Sequence, residues 1–251
     1  MTPLAAPPPG PVPVPAAVRR AAGADAVAPV WRNELGGLTF RLLAHDGTAR
    51  FAKWSPASAG IDLAAEAARL RWASPWTPVP EVLDLSDDAD GAQLLVTRGL
   101  PGRSAVDPRW LAEPATAARA LGEGLRSLHD ALPADACPFD WGVEARLARL
   151  RPDVRPEVRA ALADAPDVER AVVCHGDACA PNTLLADDGR WTAHVDLGTL
   201  GVADPWADLA VAAMSTGWNY GPGYEGAVYE AYGVEPDAER IAYYRMLWDA
   251  G

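Results

Sequence analysis

The sequence predicts an α+β fold of two lobes, a smaller strand-rich one followed by a larger helical one, and three observations predict it. Two short segments of strand-forming residues, 38–44 and 49–54, flank the turn Asp46-Gly47, which is the signature of a hairpin. Past residue 113 the apolar spacing changes to a helical one, with Leu121, Leu125 and Leu128 on one face. Between these regions Gly99-Leu100-Pro101-Gly102 concentrates the residues that punctuate structure, and it reads as the connection between lobes. The boundaries expected are a leader over 1–24, a first lobe over 25–98 and a second over 99–251.

The leader is dominated at its start by Pro and Ala. It lacks the charged start and continuous apolar stretch of a signal peptide, and it is expected to be disordered. Gly36-Gly37 stands directly before the first strand. Residues 62–73 are expected to be helical, with Leu63, Ala67 and Leu70 at i, i+4 and i+7, and strands are expected over 81–85 and 93–97. In the second lobe helices are expected over 114–131, 143–150 and 155–164. A short apolar strand over 171–174 runs into His175-Gly176-Asp177. Residues 183–186 and 191–195 flank Asp187-Asp188-Gly189 and read as a hairpin. Asp204-Pro205 is a strong helix start, and helices near 223–232 and 236–248 close the chain.

With 251 residues and 49% hydrophobic content the chain has enough apolar surface for a substantial core. A formal charge of −12 argues against nucleic acid or an anionic membrane as partner, because an acidic protein repels both; a cationic small molecule suits it better. No apolar run reaches the length of a membrane span. Cys137, Cys174 and Cys179 cannot all pair internally and show no C-x-x-C spacing, so a reducing, cytoplasmic compartment is expected.

Asp177, Asn182 and Asp196 supply two carboxylates and an amide on short loops between apolar runs. This donor set can take a proton from a hydroxyl and hold a divalent ion against a nucleotide's phosphates. The gap of five from Asp177 to Asn182 equals that of the protein-kinase catalytic loop, and Asp196-Leu197-Gly198 stands where kinases carry Asp-Phe-Gly. Glu66 lies on the apolar face of its helix, where a carboxylate needs a cation, and Lys53 on the neighbouring strand pair is the natural one. His129 and His194 read as structural.

Together these residues resemble the aminoglycoside phosphotransferases, in particular the 3'-phosphotransferase (kanamycin kinase) branch, from about residue 30 to the end. Phe51-Ala52-Lys53, Glu66-Ala67-Ala68-Arg69-Leu70, Cys137-Pro138-Phe139-Asp140 and the block 173–210 carry the resemblance. It implies a protein-kinase-like bilobal fold, with a nucleotide-binding first lobe and a catalytic, substrate-binding second lobe. ATP or GTP with Mg2+ is implied as donor, and an aminoglycoside hydroxyl as acceptor, with antibiotic resistance as the outcome. By residue, it implies Asp177 as catalytic base, Asn182 and Asp196 as magnesium ligands, and Lys53, Glu66, Gly36, Gly37, Thr97 and Gly99 around the nucleotide. His175 and Asp208 are implied as supports of the catalytic loop.

The match departs from that branch where substrate would bind. Scattered Asp164, Asp167 and Glu169 stand for its acidic loop, Met214-Ser215 for its Arg-Asp pair, and the chain ends with Asp249 and Gly251 as the acids left to meet an ammonium group. The alternatives are the same chemistry on a macrolide, a peptide antibiotic or a metabolic amino alcohol or sugar, and an inactive nucleotide-binding module. A metal hydrolase built on His175, Asp177 and Asp196 is a further alternative, disfavoured by only four histidines without metal-ligand spacing. The sequence carries no sign of oligomeric state.

Overall fold

The computed structural model describes residues 5, 6, 8, 10–33 and 35–251, with backbone alone for 5 and 6. The chain divides into two compact units, Met1–Pro75 with Val79–Leu100, and Trp76–Pro78 with Pro101–Gly251.

The first unit is an antiparallel sheet with two helices. Its strands are β1 (Ala5–Ala6), β2 (Ala26–Asn33), β3 (Leu38–Leu43), β4 (Ala49–Ser55), β5 (Val82–Asp87) and β6 (Gln93–Arg98), in the order β1-β2-β3-β4-β6-β5. Helix α1 (Ala16–Ala22) corrects the expectation of disorder over 1–24. Its Ala17, Val18 and Ala22 pack on Phe40, Leu42, Ala52, Leu94 and Val96, so a short Ala-rich helix covers an apolar sheet face that water would otherwise reach. Ala5 and Ala6 extend the sheet edge against Asn33 and Arg32; the remaining leader residues 1–4, 7 and 9 lie outside the described residues. Helix α2 (Leu63–Ala73) starts where the Asp62 side chain accepts the Ala65 amide at 2.9 Å, and it buries Leu63, Glu66, Ala67 and Leu70 on one face.

The second unit is helical around small sheets. It opens with β7 (Arg103–Ser104), α3 (Pro108–Leu111) and α4 (Pro114–Ala131), followed by α5 (Val143–Leu147) and α6 (Pro156–Leu162). Then come β8 (Val172–Cys174), β9 (Thr183–Leu185), β10 (Trp191–His194) and β11 (Gly201–Ala203), and finally α7 (Trp206–Tyr220), α8 (Glu225–Tyr232) and α9 (Ala238–Ala250). Helix α4 buries Leu121, Leu125 and Leu128 and lies close against α8, where Gly122 leaves no room for a Cβ beside the Val228 carbonyl. Strand β11 pairs with β8, Gly201 opposite Cys174, and β9 pairs with β10 and β7. The strand pair β8–β11 and the hairpin β9–β10 carry the motif residues at their ends. None of the described helices is long and apolar enough to cross a membrane.

Candidate active site

In the first unit Lys53 lies on β4 between Thr39 of β3 and Leu95 of β6. Its Nζ donates to both Glu66 carboxylate oxygens at 2.8 Å, and Glu66 is only 5% exposed. The ion pair therefore joins the sheet to α2, and Glu66, on the buried face of the helix, holds the ammonium in one place. Replacing Lys53 by Met removes the ammonium that the two Glu66 oxygens accept from. We expect a loss of about 1–3 kcal/mol in stability, discounted for the quarter of the Lys53 side chain that water reaches. A nucleotide KM raised about tenfold or more is expected beside it. Chemical melts and a nucleotide titration of Lys53→Met check both.

The other nucleotide candidates are less directly equipped. Gly36 and Gly37 sit in the turn joining β2 to β3, and their amides are spent inside it: Gly36 N donates to the Asn33 carbonyl at 3.2 Å and Gly37 N to Asn33 Oδ1 at 2.7 Å. As folded, this turn offers neither amide to a phosphate, so the pair serves to close the hairpin on Asn33. Thr97 is buried on β6 opposite Phe51. Gly99 has its role in backbone approach, since its amide donates to the Ala49 carbonyl at 2.8 Å and a Cβ would stand only 2.8 Å from that oxygen.

In the second unit the loop after β8 is built around Asp208 of α7. Asp204 Oδ1 accepts the Trp206 amide at 2.8 Å, which starts α7 beside the loop. One turn on, the fully buried Asp208 accepts His175 N at 2.6 Å, Gly176 N at 2.9 Å and His129 Nε2 at 3.0 Å. His129 Nδ1 takes the Tyr232 hydroxyl at 2.9 Å, a group whose burial pushes its pKa up to about 12 and so keeps it a donor. Burial pushes the Asp208 carboxyl up, but the His129 hydrogen bond leads a set of attractions that outweigh it and hold the group below the usual carboxylate value.

Gly176 has φ +85°, and a Cβ there would lie 2.4 Å from the Thr199 carbonyl oxygen, so only glycine lets the loop approach the turn after Asp196. His175 then ties the two segments. Its Nδ1 accepts the Asp177 amide at 3.2 Å and its Nε2 donates to the Val195 carbonyl at 3.0 Å, so the ring holds two loops in place with both nitrogens occupied. Asn182 adds two more ties, its Nδ2 donating to the Asp177 carbonyl at 2.9 Å and its carbonyl accepting Val195 N at 3.0 Å. Asp177, Asn182 and Asp196 are thus brought together by backbone contacts.

Asp196 is the one non-glycine residue with positive φ among the described residues, at 64°. Aspartate tolerates this left-handed conformation better than most residues, and strain of this kind gathers at functional sites. Its neighbours Leu197 and Leu200 are fully buried and anchor the turn. Burial and then the Asp196 carboxylate push the Asp177 pKa up, as two acids close together in a part-dry site should. Asp177 Oδ1 is inaccessible and has no hydrogen-bond partner. Two carboxylates and an amide form an all-oxygen donor set, which fits Mg2+.

The described residues hold one other cluster of metal-ligand type, His129, Cys174 and Asp208. Its donors are already used: both His129 nitrogens and the Asp208 oxygens are bonded, and burial first, then the Asp208 and Asp204 carboxylates, push the Cys174 thiol well up. His194 is held neutral, its pKa pushed down to about 3 by burial and then by His175. This agrees with its structural reading. Asp249 is exposed, and its backbone carbonyl accepts Arg151 Nη2 at 2.6 Å. Gly251 is exposed at the chain end. Ser215, read from the sequence only as part of the Met214-Ser215 pair near the substrate region, has a contact that the sequence reading did not foresee: it is buried and accepts the Ala180 amide at 2.9 Å, inside the loop that carries Asp177 and Asn182.

A profile of the phosphotransferase enzyme family matches residues 33–244. The aminoglycoside 3'-phosphotransferase of Streptomyces fradiae is 36% identical over 227 residues, covering 79% of this chain and 83% of that protein. The crystal structure of an aminoglycoside-3'-phosphotransferase of type VIII is similar with a TM-score of 0.76 at 30% identity, covering 94% of this chain and 97% of the other. The aminoglycoside phosphotransferase APH(3'')-Id from Streptomyces rimosus, in complex with ADP and streptomycin, is similar with a TM-score of 0.69 at 32% identity over 91% of this chain and 94% of the other. With the loop geometry and these likenesses in agreement, the chain belongs to the aminoglycoside phosphotransferase (APH) family of phosphotransferase enzymes.

Proposed function

We infer that this protein transfers the γ-phosphate of ATP, or of GTP in its place, to a hydroxyl of an aminoglycoside. The observation that carries the reading is Asp177: a carboxylate with a raised pKa and an unpartnered buried oxygen, held beside Asp196 by a loop whose backbone is fastened at several points. A base of this kind holds the acceptor hydroxyl and takes its proton as the oxygen–phosphorus bond forms and the bond to the leaving nucleoside diphosphate breaks. Lys53, fixed by Glu66, is the candidate partner for the nucleotide phosphates. Asn182 and Asp196 would hold Mg2+, which when bound supplies charge neutralisation on the phosphates.

The acceptor class is supported by the relatives and by charge. The formal charge of −12 suits a polycation, and Asp249, with Gly251 beside it, is the proposed partner of an ammonium group. Adding phosphate to such a cation weakens its attraction to RNA, which is the proposed route to resistance. A cytoplasmic location belongs to the same reading, because the nucleotide donor is found there and Cys174 and Cys179 are thiols and not a disulfide.

The test is nucleotide consumption by the purified protein with Mg2+, using ATP and GTP in separate arms against a panel of aminoglycosides that includes streptomycin. Consumption matched by phosphorylated product is expected for at least one panel member. Turnover with none of them, but with a macrolide or a simple amino alcohol, would move the acceptor to another class. Tight nucleotide binding without turnover on any acceptor would point instead to a binding module.

A further inference from the structure

Helix α7 holds one end of the catalytic loop through Asp208, and the same helix holds the other end. Ser215 stands seven residues after Asp208, about two helical turns on, and so on the same face. It is 0% exposed, and its Oγ accepts the Ala180 amide at 2.9 Å. Asn219, one turn further, donates from Nδ2 to that same Oγ at 3.1 Å and to the Ser215 carbonyl at 2.8 Å. We propose that Ser215 is a positioning residue for phosphate transfer, which sets the spacing between Asp177 and Asn182 by gripping the loop midway between them. The inference rests on the phosphotransfer reading of that loop.

Two other side chains hold this stretch, Asn182 through Nδ2 on the Asp177 carbonyl at 2.9 Å and Ser104 through Oγ on the Pro181 carbonyl at 2.9 Å, but neither takes up the Ala180 amide. Ala180–Asn182 forms a single tight turn in which the Asn182 amide is used on the Cys179 carbonyl at 3.0 Å and Pro181 has no N–H. Ala180 is itself fully buried, so its amide cannot turn to water and depends on Ser215. Cys179, next to Ala180 in the chain, feels both Asp177 and Ser215. Burial first, then the Asp177 carboxylate, push its thiol well up, so it fills space as a neutral group. Asp208 and Ser215 together make α7 a two-point mount: the first fixes the amides before Asp177, the second the amide before Asn182.

Ser215→Ala removes the grip with a loss of one oxygen and no added bulk. In hydrogen exchange on the full-length protein, peptides covering 177–183 are expected to exchange at least about tenfold faster, while those covering β8 and the Asp208 end of α7 keep the parent rate. In steady-state kinetics kcat is expected to fall about ten- to hundredfold and nucleotide KM to change by less than kcat does, since Asp177 and Asn182 are displaced while the Lys53–Glu66 pair is not. Unchanged exchange at 177–183 overturns the proposal, as does a kcat within threefold of the parent. So does a uniform rise in exchange across β8, α7 and the loop, which marks general loosening. A parent protein that transfers phosphate to no acceptor refutes the functional reading instead, and the exchange measurement, which needs no turnover, tells the two failures apart.

Discussion

Asp177→Asn is expected to remove phosphate transfer and to raise the melting temperature of the metal-free protein. The first half follows from the role proposed for the group: an amide of the same shape cannot take the proton of the acceptor hydroxyl, and loss of a positioned general base costs about 10²- to 10⁴-fold in kcat. The second half follows from the sign of its pKa shift. Burial, then the nearby Asp196 carboxylate, disfavour the anion, so Asp177 holds its proton more tightly in the folded protein than in the unfolded chain. Between the unfolded value and the raised folded one the native state binds more protons, and stability falls as pH rises through that window. At neutral pH the carboxylate is a net cost to folding, and the amide relieves it.

Thermal melts in a chelating buffer at pH 4 and pH 7 decide the second half. Parent and variant should lie close together at the acid end and separate toward neutral pH, with the variant higher. A variant that melts lower at pH 7, or that still transfers phosphate at the parent rate, contradicts the assignment of Asp177 as a base held against its own solvation. Such an opposition between stability and activity is what a pre-organised catalytic group produces.

The parts of this molecule that repeat or punctuate were legible in the sequence. Helix α4 spans Pro114–Ala131 as expected, because Pro at its first turn and three leucines on one face define both its start and its buried stripe. The β3–β4 hairpin matches within a residue at each end, since Asp46-Gly47 specifies its turn. Strand β2 was missed: none of its residues is fully buried, it contains Pro29, and its pairing with β3 shifts register between Pro29 and Trp31. Helix α1 was missed because proline-rich flanks mask a helix whose stability comes from the sheet it covers. In the site, Lys53 with Glu66 could be inferred because a carboxylate on an apolar helix face demands a cation. Ser215 could not, because a side chain that bonds a backbone amide 35 residues away leaves no spacing to read.

Asp208→Ala is expected to produce the largest loss of stability of any single change at the site, and to reduce kcat with it. Three donors converge on this carboxylate, from His175 N, Gly176 N and His129 Nε2, and none can reach water without moving. Removing the acceptor strands all three in a buried place, for about 3–5 kcal/mol, which for a chain of this size lowers the melting temperature by about 10 °C. The effect carries a pH signature opposite to that of Asp177. Burial raises the Asp208 pKa, but the His129 hydrogen bond and its companions more than reverse this, so the folded value lies below the unfolded one. Its contribution is present above the unfolded pKa and is lost as pH falls through the folded value. The parent should therefore lose stability on acidification by a margin that Asp208→Ala no longer shows, which melts from neutral pH down to about pH 3 can measure. A variant equal in stability to the parent at pH 7 would mean that the loop amides find other acceptors, and that α7 does not hold the loop. The two aspartates thus act in opposite senses on one segment: Asp208 supplies the favourable electrostatics that keep the backbone fixed, and that fixed backbone is what allows Asp177 to remain in a position its own charge disfavours.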